Sequence, residues 1–161
     1  MTRIDFYVWQ NANAPTADTQ DSGEASAVGA SRDKLICRLT EKAYQLGHQI
    51  YILTTSATET RRLDDLLWVF NPNAFIPHAQ YLNKLQPTPT PGSISVLIGQ
   101  EEPPLDFHDV LLSLSPEVPA SFSRFQRLIE FAGDTDAEKQ QSRQRFRFYR
   151  DRGYALETHS L

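Results

Sequence analysis

Four short, almost continuously apolar runs constrain this chain most: IDFYVW (Ile4 to Trp9), QIYILT (Gln49 to Thr54), SISVLIG (Ser93 to Gly99) and DVLLSLS (Asp109 to Ser115). They have the length and the β-branched character of strands, and they lack the strict alternation of a sheet with one wet face. Strands of that kind are covered on both sides, the condition of a parallel sheet in an α/β protein. Between the first two, Leu35, Leu39, Ala43 and Leu46 recur at steps of three and four, with Ile36 and Cys37 widening the stripe. Ser31 is placed to cap that helix and Gly47 to end it. Strand, helix and strand in this order predict a βαβ crossover. The fold expected is therefore α/β, a Rossmann-like, mostly parallel sheet flanked by helices.

The same reasoning predicts helices over Thr58 to Phe70, over 122–132 and over Thr135 to Arg152. The second rests on Phe122, Phe125, Leu128, Ile129 and Ala132 falling on one face, with Gly133 as its stop. Tyr154 to Thr158 reads as a last strand or an extended tail. Residues from about 11 to 30 are nearly all small or polar and are expected to form a mobile loop. A second loop, Pro-rich and stiff, is expected from about 79 to 93. No repeat is evident, so 1–161 is expected to make a single domain.

Composition excludes several functions. The formal net charge is -4, so a uniformly basic nucleic-acid binder is ruled out. One cysteine, Cys37, rules out an internal disulfide or a multi-cysteine zinc site. The N-terminus turns polar too early for a signal peptide, and no apolar run reaches about 18 residues. A soluble, cytoplasmic protein without membrane contact is expected. A nucleotide cofactor is not expected, because NANAPTADTQ after Trp9 offers no Gly-rich turn where backbone amides could meet a pyrophosphate. Cys37, on the apolar side of its helix, reads as a small buried hydrophobe rather than a nucleophile. Asp106, His108 and Asp109 are explained as well by a turn as by a metal site. No catalytic residue, cofactor or metal is predicted.

Charge is unevenly distributed. Six of the sixteen basic residues lie between Lys139 and Arg152, against one acid, Asp151. On a helix, Lys139, Arg143, Arg147 and Arg150 form a narrow stripe, with Phe146 beside it and Tyr149 just beyond. Phe148 points to the other side, toward a core. A stripe of like charges destabilises its own helix slightly, which leaves either a solvated face or a binding face for an anion. Two ligands suit a binding face. One is single-stranded nucleic acid, with Phe146 or Tyr149 stacking on a base. The other is an acidic peptide ending in an apolar residue, its carboxylates gripped by arginine forks. Separately, Trp68, Phe75, Ile76 and Pro77 gather more large apolar groups than one turn needs, so they read as core or as a docking patch.

Taken in order, FYV, CRLTEKAYQLGHQIYI, RLDDLLWVFNPNAFIPH, DVLLSLS, FSRFQRLIEF and RQRFRFYRDRGY resemble the chi subunit of bacterial DNA polymerase III. The likeness covers most of the chain outside 10–30 and 79–95. It implies a non-catalytic accessory subunit of the DNA-directed DNA polymerase (nucleotidyltransferase) holoenzyme. Two partners are implied as well: a psi-like clamp-loader subunit, and the acidic C-terminal tail of single-stranded DNA-binding protein, which ends in Phe. Contact with DNA would then be indirect. By the resemblance Lys139, Arg143, Phe146 and Arg147 match the tail-binding helix, with Tyr149 and Arg150 adjoining. Trp68 and Phe75, with Ile76 and Pro77, match the psi-facing surface. The family often carries Tyr at the position of Phe146, and residues 11–30 are longer than usual. The alternative is a domain that binds single-stranded nucleic acid directly through the same basic helix.

Overall fold

A computed structural model describes residues 2–8, 24–71, 75–81, 94–133 and 135–160, with the side chains of 24–31 outside that description. The elements run β1 (Arg3–Val8), α1 (Glu24–Gln45), β2 (Ile50–Leu53), α2 (Ala57–Val69), β3 (His78–Gln80), β4 (Val96–Gly99), β5 (Val110–Ser113), β6 (Arg127–Phe131), α3 (Asp136–Asp151) and β7 (Ala155–Ser160). The strands form one sheet in the order β3-β4-β2-β5-β6-β1-β7. Every strand pair among the described residues is parallel. This is the expected Rossmann-like α/β arrangement.

The apolar runs are explained by burial on both faces. Ile50, Ile52, Val96, Ile98, Val110 and Leu112 pack against Ile36 of α1 and Leu63 and Leu67 of α2. Their neighbours Tyr51, Leu97 and Leu111 turn the other way and join Ile4, Phe6, Leu128 and Tyr149 of α3. The helices α1 and α2 therefore lie on one face of the sheet and α3 on the other. No helix among the described residues is long and apolar enough to cross a membrane.

Four expectations need correction. The segment 122–132 is not a helix but a single 3-10 turn, Phe122–Arg124, followed by strand β6. Helical spacing and a turn-plus-strand both bury Phe122 and Phe125; only the strand sends Leu128 and Ile129 into opposite cores, as observed. Secondly, α1 begins at Glu24, so 24–30 is helical and Ser31 lies inside the helix rather than capping it. Alanines at 25, 27 and 30 favour that extra length. The rest of the predicted loop, 11–23, lies outside the described residues. Thirdly, Ala79 and Gln80 belong to β3, an edge strand beside β4, and 82–93 again lies outside. Finally, α2 starts earlier than Thr58. Ser56 is its N-cap, accepting the Glu59 N–H at 3.1 Å.

At the other edge, β7 is tied to β1 by buried polar contacts. Asp5, fully buried, accepts from Arg127 Nε at 2.6 Å and Arg3 Nη2 at 3.3 Å, and its carboxylate lies 2.9 Å from His159 Nε2. Burial pushes the Asp5 carboxyl up, but the hydrogen bonds from His159 and Arg127 and the charges of Arg127 and Arg3 outweigh it and hold it below its ordinary value. A depressed carboxyl contributes stability above its unfolded pKa and loses it as pH falls through the folded one. Urea midpoints are therefore expected to fall as pH drops below about 4. Asp5→Asn should be less stable at neutral pH and should lose less on acidification. An equal acid loss in the variant would remove Asp5 from this role.

Candidate binding surfaces

Helix α3 is positioned at both ends and underneath. Thr135 Oγ1 accepts the Glu138 N–H at 3.2 Å while the Glu138 carboxylate accepts the Thr135 N–H at 3.4 Å, a reciprocal cap. Gly153 ends the helix at φ 81°, a left-handed conformation that favours glycine. On the inner side Ser142, Arg145 and Tyr149 are buried. The Arg145 guanidinium donates to the Glu130 carboxylate on β6, to the Pro116 carbonyl at 2.7 Å and to the Phe131 carbonyl at 3.1 Å. The Tyr149 hydroxyl donates to Glu130 at 3.1 Å. Burial pushes the Glu130 carboxyl up, to about 7, against the pull of Arg145 and Tyr149.

This anchoring leaves the basic stripe outward. A groove of about 460 Å³ is lined by Asp136, Lys139, Gln140, Arg143, Gln144 and Arg147. Arg143 and Arg147 are exposed, and Lys139 is half-buried. None of the three makes an ion pair among the described residues. Arg150 is also exposed but pairs with Asp151 at 3.4 Å. Phe146 is half-buried at the stripe's margin, edge-on to Phe6 at 5.5 Å. Tyr149 does not belong to this surface: it is fully buried, and its hydroxyl is engaged by Glu130. Phe148 stands against Phe122 on the far side, its ring covered by the Arg152 guanidinium at 4.1 Å. Sequence reasoning missed Leu156, which β7 places on the same sheet face as Ile4, half-buried against the core that Phe146 joins. The alternation of Leu156 and Thr158 in ALETHS was the available signal.

The second surface lies on α2 and the segment leading into β3. Trp68, Val69 and Phe75 are exposed by 48%, 70% and 70%, far more than core residues. The Trp68 and Phe75 rings sit 5.6 Å apart, and Trp68 lies 4.3 Å from the His78 ring. His78 is fixed beneath them by the Ile76 carbonyl at 2.7 Å and the Asp64 carbonyl at 2.9 Å. Pro77 is half-buried. Ile76 is not part of the patch, since at 2% exposure it is core, its side chain alternating away from Phe75. Val69 was missed, although it adjoins Trp68 in the chain.

The remaining reactive groups serve structure. Cys37 is fully buried, and burial, aided by Asp33, pushes its thiol up to about 12. Asp109 accepts the Gln49 N–H at 2.8 Å.

A sequence profile described as DNA polymerase III chi subunit, HolC, matches residues 1–157. The chain belongs to the DNA polymerase III chi subunit family. Among curated relatives, the DNA polymerase III subunit chi of Pseudomonas aeruginosa is 35% identical over all of this chain and 98% of its own. The Haemophilus influenzae subunit is 30% identical over 80% of this chain and 87% of its own. That of Escherichia coli K12 is 26% identical over 98% and 97%. The crystal structure of T4 UvsW resembles the fold with a TM-score of 0.67 at 10% identity. It is matched over 99% of this chain, which spans 41% of that one. As a chi-family protein the chain has an accessory place in DNA replication.

Proposed function

We propose that this chi-family chain is a non-catalytic replication adaptor with two docking faces. The α3 groove takes the acidic, Phe-terminated tail of single-stranded DNA-binding protein, and the Trp68/Phe75 patch takes a psi-like subunit of the clamp loader. The observation that carries the first assignment is the pairing of Arg143 and Arg147, guanidiniums without an ion-pair partner among the described residues, with the half-buried Phe146 at the stripe's margin. Forked guanidiniums suit carboxylates, and an aromatic margin suits a terminal apolar side chain. Burial of Tyr149, and the Arg152 cover on Phe148, leave the stripe short of the exposed rings that base stacking uses, which favours the peptide over single-stranded nucleic acid on this helix. The patch on α2 carries the second assignment, because exposed Trp and Phe anchors mark protein interfaces. The two faces lie on opposite sides of the sheet, so both partners fit at once.

Calorimetric titration with an acidic peptide ending in Phe tests the tail assignment. Binding should be measurable with the free terminal Phe and largely lost when that residue is removed. Trp68→Ala with Phe75→Ala should keep the peptide and lose the psi-like subunit. Absence of peptide binding by the unaltered protein would sink the adaptor reading.

A further inference from the structure

Helix α1 carries a second cationic stripe that neither docking face uses. Lys34, Arg38 and Lys42 are exposed at successive i, i+4 steps, about 6 Å apart along the axis. None of them has an ion-pair partner among the described residues. The nearest acid on that face, Glu41, already accepts from Gln45 at 3.2 Å and Asn71 at 3.5 Å. Asp33, one residue before the stripe, is buried and paired with Arg62 at 3.1 Å. Three cations against one acid, Glu41, leave this helix face net positive in a chain of net charge -4, which favours an anionic occupant.

At its C-terminal end the stripe opens into a cleft of about 440 Å³, whose lining includes Lys42, Leu46, His48, Gln126 and Arg127. Leu46 is 63% exposed at its mouth. Asp109, the acid in that lining, is engaged by the Gln49 N–H. Evenly spaced point charges on a convex helix fit a repeating anion, whereas a peptide terminus is better served by the fork and aromatic margin found on α3.

We infer that Lys34, Arg38 and Lys42 form a weak, sequence-independent contact for the phosphate backbone of single-stranded nucleic acid, independent of the tail-binding groove. Because α1 and α3 lie on opposite faces of the sheet, a strand held on α1 leaves the groove open. The contact would be additional to the indirect link through the tail.

Fluorescence anisotropy with a labelled oligo-dT of about 20 nucleotides tests it, over a salt series beginning at low ionic strength. Lys34→Ala with Arg38→Ala and Lys42→Ala is expected to weaken binding at least about tenfold, and to flatten the slope of log K against log salt by about 2, the loss of three phosphate contacts. Arg143→Ala with Arg147→Ala should leave oligonucleotide binding within about twofold. Unchanged melting temperature in the triple variant shows that it still folds. The inference is overturned by no binding at low salt, by equal binding in the triple variant, or by the triple variant losing an acidic peptide while keeping the oligonucleotide. It stands or falls independently of the peptide titration.

Discussion

Arg143→Ala combined with Arg147→Ala is expected to weaken the acidic, Phe-terminated peptide about 100-fold. Each charge-assisted hydrogen bond is worth about 1.5–3 kcal/mol, and an exposed groove sits at the low end of that range. Two such losses total about 3 kcal/mol, which is about two decades in affinity. The folded state should hardly notice, because both guanidiniums are exposed and make no ion pair among the described residues, and substitutions of that kind fall within about 0.5 kcal/mol. Arg150→Ala should cost less affinity, since its guanidinium is shared with Asp151. Tyr149→Phe should leave affinity intact, because the buried hydroxyl faces Glu130 and not the groove. Calorimetry on each variant, with a melting curve beside it, separates binding from folding. A double variant that binds within about threefold of the unaltered protein would detach the stripe from tail recognition.

The sheet and the stripe were legible because local pattern decides them. Runs such as IYIL and VLLS are buried on both faces, and no register is needed to see it. Lys139, Arg143 and Arg147 share a face by helical periodicity alone. What escaped depended on an angle or on a distant partner. Tyr149 lies about 60° further round α3 than Phe146, and the rotation of the helix on the sheet, which no helical wheel supplies, decides that one ring reaches the margin and the other the core. Ile76 follows Phe75 in extended chain, so adjacent apolar residues part, one inward and one outward. Helical and turn-plus-strand spacing coincide over 122–132 and diverge only where two separate cores receive Leu128 and Ile129. Arg145 looked like one more cation in a basic helix. Its partner Glu130 is a single acid inside the apolar strand RLIEF, and only the crossover brings the two together.

That hidden pair carries the largest stability effect. Arg145→Met is expected to cost about 3–5 kcal/mol, because it strands a fully buried carboxyl without its counter-charge. Burial already pushes Glu130 up to about 7, and removing Arg145 removes the strongest influence holding it down. A carboxyl whose folded pKa exceeds its unfolded one binds its proton more tightly in the native state, so stability falls as pH rises between the two values. The unaltered protein should therefore show that decline from about 4.3 to about 7, and Arg145→Met should carry it to higher pH. Urea denaturation at pH 6 and 8, about one unit either side, reads the difference. Glu130→Leu with Tyr149→Phe on top of Arg145→Met should recover most of the loss, since apolar groups of similar volume replace the buried charges and no hydroxyl is left without its acceptor. A single variant that loses less than about 1 kcal/mol would mean that the pair is not the anchor of α3. The recovered triple variant is also the cleanest probe of geometry. It restores packing without the four hydrogen bonds that Arg145 and Tyr149 make to Glu130, Pro116 and Phe131. If those bonds set the rotation of α3, its peptide affinity should stay reduced after its stability has returned, because Arg143, Arg147 and Phe146 can meet one ligand together only in one rotation of the helix.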